Sequence, residues 1–530
     1  MSSNSMKRTS AILTSFALLA AVVSGCGNGG DSEASSSPSS SPSASPAASP
    51  SASTDSASPS ASGASGKKIK LEVIEVGNNL PTPDQDIIKK ELDQALNVDF
   101  NLTVYGSGDD YKNQLNVRMA SGNFPDLFAL DRQQLLEFSK QGLLLDLTPY
   151  MDRLGQVKDF IGEENVKKGA VDGKIYAISK SSQIPYNTYF IRKDWLASLN
   201  LEVPKTIEDL KAVAAAFTND DPDKNGKKDT FGLTGAELNG AFAPVFGAFG
   251  VGSPGSVYEK DGKIVNALYD PDMKAALAFI KDMIATGSVD PELLANTALQ
   301  HQEKAFKGQA GIVWIDWPNM TKENMIEQIK AVNPNAEWIP IEPPAGPAGK
   351  FDGSWEIGNT PGRYAIPKAL EKDPEKLQRV FDLLNYVSDP KGGSLLVQFG
   401  VEGTHYTKDG DKVVMTDKAS EVGYSWLYQF TGRPEMSYLQ TKFVPQAEFI
   451  KFANNQPRIQ TLNGFVDMPE GYVASDADRY IKEELAKFAY GQRDLGEYDK
   501  FLKTLETTMQ YKLFMDAAQE QLAALGYGSK

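Results

Sequence analysis

Residues 69–76, IKLEVIEV, alternate β-branched with charged side chains and read as a strand. Residues 84–96 follow with Ile87, Ile88, Leu92, Ala95 and Leu96 on one helical face. VDFNLTVY (98–105) is a second strand, and 111–120 a second helix stopped by Ser121-Gly122. Strand, helix, strand, helix in this order predicts an α/β lobe around a largely parallel sheet. Ligands of such sheets sit at the carboxyl ends of the strands, in the loops that lead into helices. The pattern returns at TYFIRKDWL (188–196), which enters a helix, and at TIEDLKAVAAAF (206–217), a helix with an acidic first turn. GIVWIDW (311–317) and GRYAIPK (362–368) read as strands, and the chain from Pro390 as mainly helical, closing with 495–525. About 460 residues from Lys67 onward are too many for one core, so two or more lobes are expected. Pro-rich IEPPAGPAGK (341–350) reads as a connection between them.

What precedes Lys67 has little that could join a core. Lys7 and Arg8 form a positive n-region, and Ala11–Val23 is an apolar run too short to span a bilayer. It ends in Val23-Ser24-Gly25-Cys26, which carries the only cysteine of the protein and resembles a bacterial lipobox. Residues 1–25 then read as a lipoprotein signal peptide. The resemblance implies cleavage after Gly25 and diacylglycerol on Cys26, which places the protein on the extracellular face of the cell membrane. Residues 26–66, rich in Ser, Pro and Ala, read as a disordered tether. It would span about 35 Å as a coil and up to about 120 Å extended. A lone cysteine excludes intramolecular disulfides. The net charge is −15, or −17 without Lys7 and Arg8, which makes nucleic acid and anionic membrane surfaces poor partners.

Four stretches in order, YKNQLNVRMASGNFPDLFALD (111–131), QGLLLDLTPYMD (141–152), DGKIYAIS (172–179) and FIRKDWLASLNLEVPKTIEDL (190–210), resemble the extracellular solute-binding proteins of ABC transporters. The subgroup they resemble is the sugar-binding, maltose-binding-like one. FKGQAGIVWIDWPNM (306–320) and QFGVEGTHY (398–406) are similar to its lipoprotein members from Gram-positive bacteria. The resemblance implies a monomeric, periplasmic-binding-protein-like α/β fold: two lobes of discontinuous segments, a hinge and an interlobe cleft. One lobe is expected from 67–183 with 350–391, the other from 184–349 with 392–530. Hinge crossings are expected near Ser181–Tyr186, Pro343–Gly349 and Pro390–Ser394. The implied partners are a carbohydrate and the membrane subunits of an ABC permease.

A sugar offers flat apolar ring faces and a rim of hydroxyls, so its site needs aromatic planes and fixed polar groups. A period of two sets Trp314 and Trp317 on opposite faces of their strand, so one is core if the other faces the cleft. The resemblance favours Trp314 as the stacking residue. It also implies that Asp131 and Arg132, at the carboxyl end of PDLFAL, bond sugar hydroxyls; a solvated helix start is the alternative. Phe242, within NGAFAPVFGAFG, is expected at either the cleft or the core. Trp355 and Tyr406 are loop-borne aromatic candidates, and Asn78, after the first strand, a hydroxyl partner.

DPDKNGKKDTFG (221–232) begins like an EF-hand loop, with Asp221, Asp223 and Asn225 at positions 1, 3 and 5 and Gly226 at the turn. Lys227 would contribute its carbonyl at position 7 and Asp229 a carboxylate at position 9. Position 12, normally a bidentate Glu, is Gly232. The resemblance to alginate-binding relatives implies ligation at positions 1, 3, 5, 7, 9 and 10, hence a structural calcium ion, although position 10 is Thr230 here. A polar turn without an ion is the alternative. No cysteine nucleophile remains beside a lipidated Cys26, His301 and His405 lack metal-ligand spacing, and no GxSxG elbow occurs. The reading is a binding protein rather than an enzyme. A surface polysaccharide sensor or adhesin, or an extracellular glycan hydrolase or lyase, are the rivals.

Overall fold

The structure is a computed structural model that describes residues 68–106 and 108–528. Cys26 and the expected signal peptide and tether lie outside the described residues. The first lobe is built as its pattern predicts. β1 (Ile69–Val76) pairs in parallel with β2 (Val98–Tyr105) and β3 (Leu127–Leu130), linked by α1 (Ile87–Leu96) and α2 (Gly108–Ser121). α1 starts where the Asp86 carboxylate accepts the Lys89 amide, and it ends at Asn97, whose φ of 52° breaks the helix. It buries Ile88, Leu92 and Leu96 against the sheet. β1 lies between two strands, so Val73, Ile74 and Glu75 are all buried and its alternation fails at that end. Arg363–Ala365 then pairs antiparallel with β3 and with Ile178–Ser179, completing five strands.

The second lobe holds two four-stranded sheets. One orders Trp338–Ile341, Asn187–Arg192, Ala310–Asp316 and Phe231–Thr234; the other orders Lys263–Asn266, Val257–Lys260, Ile459–Thr461 and Ser354–Glu356. Two segments sit differently from expectation. Ser354–Glu356, expected with the first lobe, pairs with Ile459–Thr461 of the second. Residues 422–430, expected with the second, bury Tyr424, Leu427, Tyr428 and Phe430 in the first lobe's core, with the Phe430 ring 5.3 Å from Tyr364. The Pro-rich 341–350 stretch stays in the second lobe, where the Ala345 amide donates to the Lys205 carbonyl.

Among the segments that cross between the lobes, 180–186, 357–362 and 429–434 meet. The Lys180 amide donates to the Gly362 carbonyl, the Ser181 amide to that of Thr431, and the Ser181 hydroxyl to that of Arg433 at 2.7 Å. Gly432 permits this approach. Its φ is +89°, and a Cβ there would lie 2.3 Å from Ser181 Oγ. Three chain segments hydrogen-bonded side by side between two separately packed lobes have the form of a hinge.

Candidate functional site

A cavity of about 990 Å³ opens where the carboxyl ends of β1 and β3 face the second lobe's 463–472 segment. α3 (Arg132–Lys140) starts at its rim. Asp131 caps that helix: Oδ1 accepts the Gln134 amide at 2.8 Å, and Oδ2 pairs with Lys112 Nζ at 2.8 Å. Burial alone would raise the Asp131 carboxyl, but Lys112 and the amides outweigh it and hold it below its ordinary value. Arg132 reaches across the cavity. Its Nε and Nη2 donate to the two oxygens of Asp467 at 2.6 and 2.7 Å, and its Nη1 to the Ala170 carbonyl. Asp467 is fixed in turn by Gln521 of helix Tyr511–Ala524, which accepts from its amide and donates to its carbonyl. A bidentate ion pair thus bridges the lobes at the cavity.

The floor is set by strand register. Arg363 pairs with Leu130 and Tyr364 with Ala129, so an antiparallel strand presents its first residues where the parallel strands end. Glu75 sits there with Lys180 Nζ 3.4 Å from Oε1, while Oε2 is buried without a hydrogen-bond partner. Burial raises the Glu75 carboxyl, opposed by Lys180. Tyr472, partly buried and stacked on Phe514, supplies an aromatic plane from the second lobe.

Asp131 and Arg132 are the sequence-predicted residues brought to this cavity. Phe242 and Trp317 take the core alternative left open for them, and Tyr406, expected as a loop-borne cleft aromatic, is corrected to a core residue. Phe242 is fully enclosed among second-lobe side chains, and Tyr406 packs on Phe399. Trp317, 1 % exposed, lies between Tyr186 and Phe443. Trp314 is partly buried against the second-lobe core and donates from Nε1 to Asp352 at 2.9 Å, away from the cavity. Trp355 lies in the strand Ser354–Glu356 and Asn78 is exposed beside Asn79; neither lines the cavity. Glu75, Lys180, Arg363, Asp467 and Tyr472 escaped the sequence reading. The signal for Arg363 was present, since Gly362-Arg363 opens a strand, but strand direction was needed to place it.

The 221–229 loop stands apart from the cavity. Asp221 accepts the Asn225 and Gly226 amides, and the Asn225 side-chain nitrogen lies 2.8 Å from Asp223 Oδ2 and 3.2 Å from Asp229 Oδ1. Among the described residues no Lys or Arg pairs with these three carboxylates, and no cluster of three or more His, Cys, Asp or Glu side chains has the geometry of a formed metal site. Burial and the neighbouring Asp221 and Asp229 raise the Asp223 carboxyl. Converging carboxylates without a cationic side chain suit a hard cation with oxygen ligands. Two positions are spent on the fold instead. Thr230 donates its hydroxyl to the Phe217 carbonyl at 2.8 Å. Gly232 packs so closely on the helix Ile207–Asn219 that a Cβ would lie 2.3 Å from the Ala214 carbonyl oxygen, which is why no Glu stands there.

Residues 80–394, more than half of the chain, match the profile of the bacterial extracellular solute-binding proteins. Over 352 residues the chain is 29% identical to the polygalacturonan/rhamnogalacturonan-binding protein YtcQ of Bacillus subtilis (strain 168), spanning 64% of this chain and 67% of that one. It is 28% identical over 469 residues to the fructooligosaccharide ABC transporter substrate-binding protein FusA of Streptococcus pneumoniae serotype 4 (strain ATCC BAA-334 / TIGR4), spanning 80% and 84%. The solved structure of a FusA EF-hand mutant in complex with fructo-nystose covers 87% of this chain and 100% of its own at 19% identity and a TM-score of 0.61. That of the alginate-binding protein AlgQ2 without calcium ion covers 86% and 98%, also at 19% and 0.61. The fold is theirs: two α/β lobes with a cleft between them.

Proposed function

Because the chain belongs to the bacterial extracellular solute-binding proteins, and so binds a solute rather than transforming it, we propose that its solute is a carbohydrate held in the interlobe cavity and handed to an ABC permease. The observation that carries this is the cavity itself. Polar side chains from both lobes converge on it, an aromatic plane flanks it, and two of the hinge segments, through Lys180 and residues 359–362, line it. YtcQ and FusA, both named for saccharide ligands, support it. Lobe closure would wrap a saccharide and create the face a permease recognises. Lipidation at Cys26 would hold the protein at the outer membrane surface; among the described residues no helix is long and apolar enough to cross a bilayer. A thermal-shift screen with mono- and oligosaccharides tests the reading. A saccharide at 100 times its Kd is expected to stabilise by about 2.7 kcal/mol. Stabilisation by amino acids or peptides but by no saccharide would contradict it.

We further propose that Asp221, Asp223, Asn225, the Lys227 carbonyl and Asp229 hold a structural calcium ion, in line with the EF-hand named for FusA and the calcium named for AlgQ2. Calcium is expected to raise the melting temperature over that in chelator, by an amount set by RT ln(1 + [Ca]/Kd). The folded protein disfavours the charged form of Asp223, because its carboxyl is raised there. Asp223→Asn should therefore be at least as stable as wild type in chelator, yet lose the calcium response. Asp411→Ala, in an exposed turn, should keep it. Equal melting temperatures in millimolar calcium and in chelator would leave the loop a polar turn.

A further inference from the structure

The cavity holds one guanidinium that no carboxylate answers. Arg363 is 6 % exposed, lines the cavity, and donates from Nε to the Lys168 carbonyl oxygen at 2.9 Å. Among the described residues no Asp or Glu forms an ion pair with it. The other rim cations described above have direct partners: Lys112 has Asp131, Arg132 has Asp467, and Lys180 has Glu75. Burial and the nearby Arg132 push the Arg363 guanidinium down to about 10, against the through-space pull of Asp467 and Asp131, neither of which pairs with it directly. Lys168 is also buried; its ammonium donates to the Asn359 carbonyl and the Ser182 hydroxyl, and burial together with Arg363 pushes it down to about 8. Arg132, Lys168 and Arg363 thus share one direct carboxylate partner, Asp467, which comes from the opposite lobe. The cavity lining as a whole carries five cations (Lys112, Arg132, Lys140, Lys180, Arg363) against four carboxylates (Glu75, Asp131, Glu137, Asp467), in a chain whose net charge is −15.

An unpaired charge buried in a protein is costly, and it persists where a partner arrives from outside. We infer that the solute carries a carboxylate and that Arg363 receives it, which makes the ligand class an acidic oligosaccharide built from uronic-acid units. The inference rests on the reading of this cavity as a saccharide site and narrows it. The planar fork of a guanidinium matches a carboxylate with two parallel hydrogen bonds, which a hydroxyl-only sugar cannot supply. A neutral sugar would leave Arg363 buried and unanswered when the lobes close.

The test is calorimetric titration of the full chain with trisaccharides of galacturonate, glucuronate or mannuronate, each against its methyl ester, and with a neutral fructo-oligosaccharide. The ester keeps ring and hydroxyls and removes the charge. At least one acidic trisaccharide is expected to bind about tenfold or more tighter than its ester. Arg363→Gln should lose most of that ratio and Arg363→Lys part of it, with helix content unchanged by circular dichroism. The ester comparison is made on the unsubstituted protein, so a variant that fails to fold does not spoil it. Equal binding of acid and ester overturns the inference. Binding of the neutral fructo-oligosaccharide alone overturns it while leaving the saccharide reading intact. Binding of none of these sugars overturns the inference, and if the wider saccharide screen is also negative the reading beneath it falls too.

Discussion

Replacing Asp352 by alanine is expected to cost about 3–5 kcal/mol of folding stability, the range for stripping one partner from a buried ion pair. Asp352 is 0 % exposed. Its Oδ2 pairs with Arg458 Nη2 at 3.0 Å, and its Oδ1 accepts from Trp314 Nε1 at 2.9 Å. Arg458 also donates from Nη1 to the Asp352 carbonyl and from Nη2 to the Asn187 carbonyl. Four separated stretches of the second lobe therefore meet at one ion pair. Burial raises the Asp352 carboxyl, while Arg458 and Trp314 oppose that rise. Without Asp352, Arg458 is buried with only carbonyl partners and the Trp314 N–H loses its acceptor. The double variant Asp352→Leu/Arg458→Met removes both charges and should recover most of the loss, as replacing whole buried pairs often does. Denaturant midpoints measure both. A single-variant loss below about 1 kcal/mol would show the pair to be incidental.

Trp317→Ala should be comparably damaging, by about 3–5 kcal/mol, the range for emptying a buried tryptophan site. Its ring is enclosed by Tyr186 and Phe443, and its amide donates to the carbonyl of Tyr186, the last residue of the first hinge segment. Solute affinity of the fraction that remains folded should be unchanged, because the side chain is remote from the cavity lining. A variant of normal stability and weakened affinity would return Trp317 to the cleft.

The first lobe could be read because its strands and helices alternate, and capping residues mark where a helix begins and ends, as Asp86 and Asn97 do for α1. Asp131 and Arg132 could be placed because a parallel strand ends at the ligand edge. Arg363 could not be, since the same edge receives the start of an antiparallel strand, and pairing direction is not written in local periodicity. The aromatic candidates misled for a related reason. Phe242, Trp317 and Tyr406 occupy apolar segments in which stacking and core positions look alike until a third dimension separates them. Tyr472 and Asp467 lie in an irregular stretch between elements, where no period marks a functional face.

Hydrogen exchange of the full chain, with and without a saturating concentration of the tightest-binding oligosaccharide, tests most directly whether the solute sits between the lobes. Slower exchange is expected at amides of residues 129–134 and 359–364 in the first lobe's rim and hinge, and of 463–467 in the facing segment, with the 221–229 loop unaffected. Protection confined to one lobe, or centred near Trp355 or Tyr406 with these three stretches unchanged, would contradict it.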